Sequence, residues 1–413
     1  MFEVRRLHEF RYLKILGPCL LALSIIWVAP CAAARETDGR VTVLYVGDTG
    51  FETWRDIDGD PLLVTIPVPA SVRHFSTDHI RRHMRQYIPR TYQRYSSDVD
   101  LLILSDTDRQ LFTTQQQQWF RDGVSEAGGG MIMAGGLEAF GGGASGTSWD
   151  GSSVAEVLPV DILTGEVWNF APFRARPAQG AVDHPFIKSL PWDSMPTFGG
   201  MNRVIARPWA ELLLEAAGPG ISASEPLPLL VYGEIGEGSS LAHAPDWTPG
   251  WGGRVMRQWE YYPDYVINMA YLASGIPVPQ DLDLTHIVRS ELASHRQRMG
   301  VTLSYLEFAE EFGANVHPLE TRLSDVNELK QEADQLYIDQ EYDAVLEKMR
   351  EAGILLDELN QEAIELKDRA LLWVYVVEWA AVTATMLLCG FVLWSLMVKR
   401  KLYREVKVTT YRG

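Results

Sequence analysis

The stretch GGGMIMAGGLEAFGGG, residues 128–143, decides the fold of this chain. Its first three glycines allow the backbone to leave a helix and turn, and a short apolar run follows them directly. A second glycine pair then closes the apolar run. The pattern predicts a buried strand at residues 131–133 with a glycine turn at each end.

Other short apolar runs extend this prediction to a whole sheet. They lie at residues 41–46, 101–104 and 240–243. The first two are almost entirely apolar, which is typical of strands buried on both faces of a parallel sheet. Helical patterns at residues 77–87 and 114–127 separate the runs. The alternation predicts an α/β domain with a mostly parallel sheet over residues 40–278.

Small or acidic residues follow each of the four predicted strands. Parallel strands end at one edge of a sheet, and open α/β sheets bind ligands at that edge. The candidate ligand-binding residues are Asp48, Ser105, Asp106, Gly135, Gly136, His243 and Asp246. Aspartate and glycine are also common there as turn residues and helix caps, so that alternative stays open.

Charge and motifs exclude several function classes. The formal net charge is −17 at pH 7, which argues against a nucleic-acid partner because phosphates need positive charge to neutralise them. No His-Glu-x-x-His motif is present, and the glycine-rich stretch does not end in Gly-Lys-Ser/Thr. We therefore expect no metal site, no nucleotide and no cofactor.

Residues 1–34 have the three-part order of a secretory signal peptide. A basic start precedes an apolar run, and the small residues at 32–34 come last. Cleavage is expected after Ala34, with an uncleaved anchor as the alternative.

A second apolar segment lies near the C-terminus. Residues 379–398 carry no charge and are long enough to cross a bilayer, so a transmembrane helix is predicted over residues 371–398. The tail at residues 399–413 is basic, which places it in the cytoplasm. We therefore expect a single-pass plasma-membrane protein whose N-terminal domain lies outside the cytoplasm and whose helix contacts lipid.

Composition changes after Pro279 to a charged, leucine-rich and glycine-poor region. Residues 281–370 are therefore predicted to form a helical stalk, broken near residues 313–318. A hairpin resembling one tetratricopeptide repeat is an alternative within it. Small residues on the predicted span, such as Ala380, Ala384 and Gly390, would suit assembly with a membrane-protein partner.

The three cysteines are Cys19, Cys31 and Cys389. The first two fall in the predicted signal peptide and the third in the predicted span. The exported domain is therefore expected to have no disulfide, no thiolate metal site and no cysteine nucleophile.

Several motifs occur in an order that resembles a known family. They are DLLILSD at residues 100–106, the glycine-rich stretch at 128–143 with its Phe140-Gly141 pair, VLPVDI at 157–162, HPF at 184–186 and PLLV at 228–231. Together they resemble the glutamine amidotransferase-like family of the class I amidotransferase superfamily. The resemblance covers residues 41–275 and implies a flavodoxin-like three-layer domain.

In working class I amidotransferases, a cysteine at the turn after the central strand attacks glutamine, activated by a histidine. Here the turn reads Met133-Ala134-Gly135-Gly136, so the nucleophile is absent. We therefore expect a non-catalytic domain that binds a ligand, a glycan or a protein partner. The alternatives are a metal- or serine-dependent hydrolase that uses the strand-end residues, and a structural subunit of a membrane complex.

Overall fold

The computed structural model describes residues 39–409 except 52, 73–74, 143–146, 165–167, 171, 219–220 and 222–226. The predicted signal peptide at residues 1–34 lies outside the described residues, as does the end of the basic tail at residues 410–413. The chain divides into two compact units between Leu282 and Asp283.

The first unit is built on strands in three sheets. The strands are Val41–Gly47 (β1), Leu63–Pro69 (β2), Leu101–Ser105 (β3), Gly130–Ala134 (β4), Val160–Ile162 (β5), Trp168–Asn169 (β6), Arg174–Pro177 (β7), Met201–Asn202 (β8), Val204–Ala206 (β9), Glu211–Ala217 (β10), Leu227–Ile235 (β11) and Gly238–His243 (β12). The main sheet has eight strands in the order β2-β1-β3-β4-β12-β11-β10-β7. Its first five strands are parallel neighbours, and the last three are joined antiparallel. The prediction of an α/β domain with a mixed, mostly parallel sheet is confirmed.

Helices connect these strands and make up the second unit. They are Thr53–Asp58 (α1), Thr77–Tyr87 (α2), Tyr92–Asp98 (α3), Thr114–Ser125 (α4), Ser153–Val157 (α5), Pro185–Lys188 (α6), Gly253–Met256 (α7), Tyr262–Ala273 (α8), Leu282–Glu311 (α9), His317–Ile338 (α10) and Tyr342–Thr409 (α11).

Local sequence explains where α4 begins and ends. Thr113 and Gln116 form a capping box, in which each side chain bonds the other's backbone amide. The helix ends at Ser125, two residues before the predicted end. Gly128 then has a φ of 76°, which turns the chain toward β4 at little cost for glycine.

The register of the parallel strands aligns their C-terminal ends. Gly47 of β1 pairs with Ser105 of β3, Ser105 pairs with Ala134 of β4, and Ala134 pairs with His243 of β12. β3 and β4 are buried at every position, in agreement with their apolar sequences. The candidate residues therefore share one edge of the sheet.

The second unit consists of α9, α10 and α11. Gly313, with a φ of 81°, lies in the break between α9 and α10, as predicted for residues 313–318. Within the described chain, Tyr342–Tyr403 is the one helix long and apolar enough to cross a membrane, by length and composition only. Most of its large apolar side chains between residues 372 and 403 are exposed, for example Trp379 and Leu387.

Candidate functional site

The site lies where β1, β3, β4 and β12 end. All seven sequence-predicted residues are buried there, and none is more than 9% exposed. Loops that follow the strands therefore cover the edge of the sheet, and each side chain is held by groups of the protein itself.

The glycine turn after β4 is closed by direct backbone contacts. The amide of Gly135 donates to the carbonyl oxygens of His243 and Pro245, at 2.8 and 3.0 Å. A Cβ atom added at Gly135 would lie 2.0 Å from the carbonyl oxygen of Ala244. Because non-bonded carbon and oxygen atoms cannot approach so closely, no side chain fits at this position.

Asn202, at the end of β8, hydrogen bonds to the same turn through its side chain. Its Oδ1 accepts from the amide of Gly136 at 2.8 Å, and its Nδ2 donates to the carbonyl oxygen of Gly136 at 3.1 Å. Its own amide donates to the carbonyl oxygen of Ala244 at 2.9 Å. The side chain is fully buried, so its polar atoms need these partners. Sequence reasoning missed Asn202, because no motif distinguishes it from other asparagines.

Asp106 fixes the loop that follows the glycine turn. Its Oδ1 accepts from the amide of Glu138 at 2.7 Å. Its φ is 45°, a left-handed conformation that aspartate tolerates better than most residues. A Cβ atom at Gly136 would lie 2.1 Å from that same Oδ1, so glycine is required at residue 136 as well.

Asp48 and Asp246 act in the turns after their own strands. Asp48 accepts from the amide of Gly50 at 3.0 Å, and Asp246 accepts from the amide of Thr248 at 3.0 Å. The hydroxyl of Thr248 also donates to Asp246. In both cases the carboxylate accepts from the backbone amide two residues later, as aspartate commonly does in turns. This is the turn role that the sequence analysis gave as the alternative to ligand binding.

Tyr45, in β1, brings four of the predicted residues together. Its side chain is buried and hydrogen bonds to the side chain of Ser105. Burial raises the pKa of the Tyr45 hydroxyl, and the nearby charges of Asp246, Asp48 and Asp106 raise it further. Tyr45 could not be singled out from the sequence, because it lies inside an apolar strand. Its hydroxyl group is the one feature that distinguishes it from its apolar neighbours in β1.

His243 lies among aromatic rings. Its Nδ1 donates to the carbonyl oxygen of Pro245 at 2.9 Å, and its Nε2 has no hydrogen-bond partner in the described part of the chain. The rings of Phe198, Trp247 and Tyr265 lie 5.6 to 6.3 Å from it, centroid to centroid. Burial lowers the pKa of His243 to about 3, so the ring is neutral at ordinary pH.

In the described chain, Ser105 and His243 form no nucleophile–base pair. The side chain of Ser105 is hydrogen bonded to Tyr45, and the Nε2 atom of His243 has no hydrogen-bond partner among the described residues. Across residues 39–409, outside the gaps given above, no three His, Cys, Asp or Glu side chains are grouped so that they could hold a metal ion. The hydrogen bonds of the site join the turn after β4 to the turn after β12, to Asn202 and to Asp106.

Comparison with known proteins gives one family match. Residues 72–273 match the family described as "Putative glutamine amidotransferase". No curated protein matches the chain.

The solved structures that are similar to this chain include the following three. A cytoplasmic protein of Salmonella typhimurium LT2 is 23% identical with a TM-score of 0.46, over 56% of this chain and 99% of that one. A second cytoplasmic protein of Salmonella typhimurium is 22% identical with a TM-score of 0.42, over 56% and 98%. An exo-beta-1,4-mannosidase from Opitutaceae bacterium strain TAV5 is 10% identical with a TM-score of 0.32, over 57% and 36%.

Replacing Gly135 with alanine is expected to destabilise the domain by about 1–3 kcal/mol, because the added methyl group must displace the backbone at Ala244. Urea unfolding of the full chain in detergent micelles, followed by tryptophan fluorescence, measures the change. Gly180→Ala is the matched control, because its added Cβ meets no atom within 4 Å. The control should change stability by less than about 0.5 kcal/mol. Equal stability of both variants would refute the closed turn.

Acid should weaken the domain through His243. Its pKa falls from 6.5 in the unfolded chain to about 3 in the folded one, so the unfolded state binds the proton more readily. The stability that depends on the neutral ring is complete above pH 6.5 and declines as the pH falls toward 3. Between about pH 6.5 and pH 5, the wild type should lose about 2 kcal/mol more than His243→Gln. Parallel pH profiles of unfolding for the two proteins would contradict this assignment.

Proposed function

Taking residues 72–273 as a glutamine amidotransferase-like domain, we propose that this domain is a non-catalytic binding scaffold outside the cytoplasm. In this proposal the domain has a flavodoxin-like three-layer fold, and the C-terminal helix anchors it in the membrane. The single observation that carries the proposal is the glycine turn after β4, which leaves no room for a side chain at Gly135 or Gly136, within the turn where the resemblance places the cysteine.

The turn after β4 lacks a cysteine and also has no space for one at Gly135 or Gly136. Residues 32–388 contain no cysteine. A cysteine at Gly135 would put its Cβ against the carbonyl oxygen of Ala244, and at Gly136 against Asp106. Covalent attack on glutamine needs an exposed thiolate, so this turn supports no thioester chemistry.

The hydrolase alternatives have less support. A serine mechanism needs a hydroxyl hydrogen bonded to a base, whereas Ser105 is bonded to Tyr45 and His243 faces aromatic rings. A metal mechanism needs converging ligands, whereas Asp48 and Asp246 accept hydrogen bonds within their own turns.

In this proposal, the sheet edge where β1, β3, β4 and β12 end has a binding role. That its seven residues contact a ligand stays a prediction. All seven are buried, so a ligand, glycan or protein partner would also meet the loops that they hold. Loops on a rigid sheet commonly carry recognition for this reason.

The membrane anchor is part of the same proposal. The exposed apolar side chains of α11, among them Leu388, Phe391 and Trp394, would lie in the hydrocarbon layer, with a span over residues 371–398. Lys399, Arg400 and Lys401 follow the span and favour a cytoplasmic C-terminus. The helix would contact lipid and could pair with a membrane-protein partner through its small residues.

Purified full-length protein is expected to release no ammonia from glutamine above the buffer blank, because the turn after β4 contains no cysteine to form the thioester. A coupled glutamate dehydrogenase assay measures it, with His243→Ala assayed beside the wild type. Hydrolysis by the wild type that disappears in His243→Ala would overturn the proposal.

The membrane topology predicts a labelling pattern in intact cells. In a Cys389→Ser background, Ser304→Cys should react with a membrane-impermeant maleimide, whereas Lys401→Cys should react only after permeabilisation. The background protein alone measures any labelling of the two N-terminal cysteines. Labelling of Lys401→Cys in intact cells, or none of Ser304→Cys, would rule out this orientation.

A further inference from the structure

A groove on the first unit has an apolar floor and a basic rim. It encloses about 550 Å³ between α2, the turn after it, and the start of α4. Its floor consists of Met84, Ile88, Leu111 and Phe112, all buried. Arg81, Arg85 and Arg90 stand at its rim, and Trp119 closes one side.

The charge around this groove is opposite to that of the whole chain. Residues 79–94 contain five arginines and no aspartate or glutamate, whereas the chain carries a net charge of −17. A local excess of one sign attracts a partner of the other sign and orients it during association.

Two of the rim arginines are available for a partner. Arg81 donates to the backbone carbonyl of Gln110. Arg85 and Arg90 are exposed, and their side chains make no hydrogen bond or ion pair within the described residues. A guanidinium presents a planar fork of N–H groups that pairs best with a carboxylate or phosphate.

We propose that this groove binds an acidic polypeptide segment that inserts a large apolar side chain between the arginines. Carboxylates would pair with Arg85 and Arg90, and the apolar side chain would pack against Pro89 and Trp119, the half-buried apolar residues of the groove. A flat bilayer surface cannot reach into a concave groove, and a small inorganic anion would leave Pro89 and Trp119 uncovered. The inference rests on the proposed scaffold role and deepens it by naming a binding surface and the chemistry of the partner.

Binding of a synthetic peptide tests the inference directly. The probe is a short fluorescein-labelled peptide of glutamates with one Leu-Phe pair at its centre, titrated with the full chain in neutral detergent micelles. Fluorescence anisotropy should give saturable binding. Changing the glutamates to glutamine, or Leu-Phe to Ser-Ser, should each weaken binding at least about tenfold.

Charge reversal in the protein supplies the matched comparison. Arg85→Glu with Arg90→Glu should weaken binding at least about tenfold, whereas Arg174→Glu with Arg350→Glu should not, although the net charge changes equally. Both pairs are exposed, and thermal unfolding would verify that the variants fold.

The inference fails if both pairs weaken binding alike, if the Ser-Ser peptide binds as well as the original, or if no saturable binding is seen. Displacement of the peptide by phosphatidylglycerol vesicles would instead assign the groove to a membrane surface. Glutamine hydrolysis is measured separately, so failure of the groove and failure of the non-catalytic role remain distinguishable.

Discussion

At Gly135 the backbone of β4 passes so close to the loop after β12 that no side chain can stand between them. The Gly135 amide donates hydrogen bonds to the carbonyl groups of His243, the last residue of β12, and of Pro245 in the loop, and Asn202 hydrogen bonds to both the amide and the carbonyl of Gly136. Asp106 takes up the remaining space beside Gly136 and holds the next loop. This one close approach excludes a side chain at Gly135 and joins the turn after β4 to the turn after β12.

Much of the fold could be predicted because its central strands carry strong local signals. β1 and β3 are nearly all apolar, as fully buried parallel strands require, and α2 has the predicted bounds. The antiparallel part was harder to predict. β10 reads ELLLEAA, a composition that favours a helix, and becomes a strand because it pairs with β11 on one side and β7 on the other. β2 contains two prolines, which usually argue against a strand but are tolerated at the edge of a sheet.

The site could be predicted in position but not in its contacts. Residues at the ends of parallel strands share one sheet edge, so the sequence predicted that Asp48, Ser105 and Asp106 lie at the same edge. Whether such a carboxylate faces a ligand or caps its own turn depends on loop geometry that no local pattern encodes. Asn202 comes from a short strand far along the chain, and Tyr45 is a hydroxyl-bearing residue within an apolar strand. Both act through tertiary contacts that only the folded chain reveals.

Amide exchange at the glycine turn tests the central claim most directly. If Asn202 and the loop after β12 close the turn, the amides of Gly135 and Gly136 should exchange with deuterium as slowly as that of Ile132 within β4. Exchange as fast as that of the exposed Gly180 amide would contradict the closed turn, and with it the reason for regarding the domain as non-catalytic.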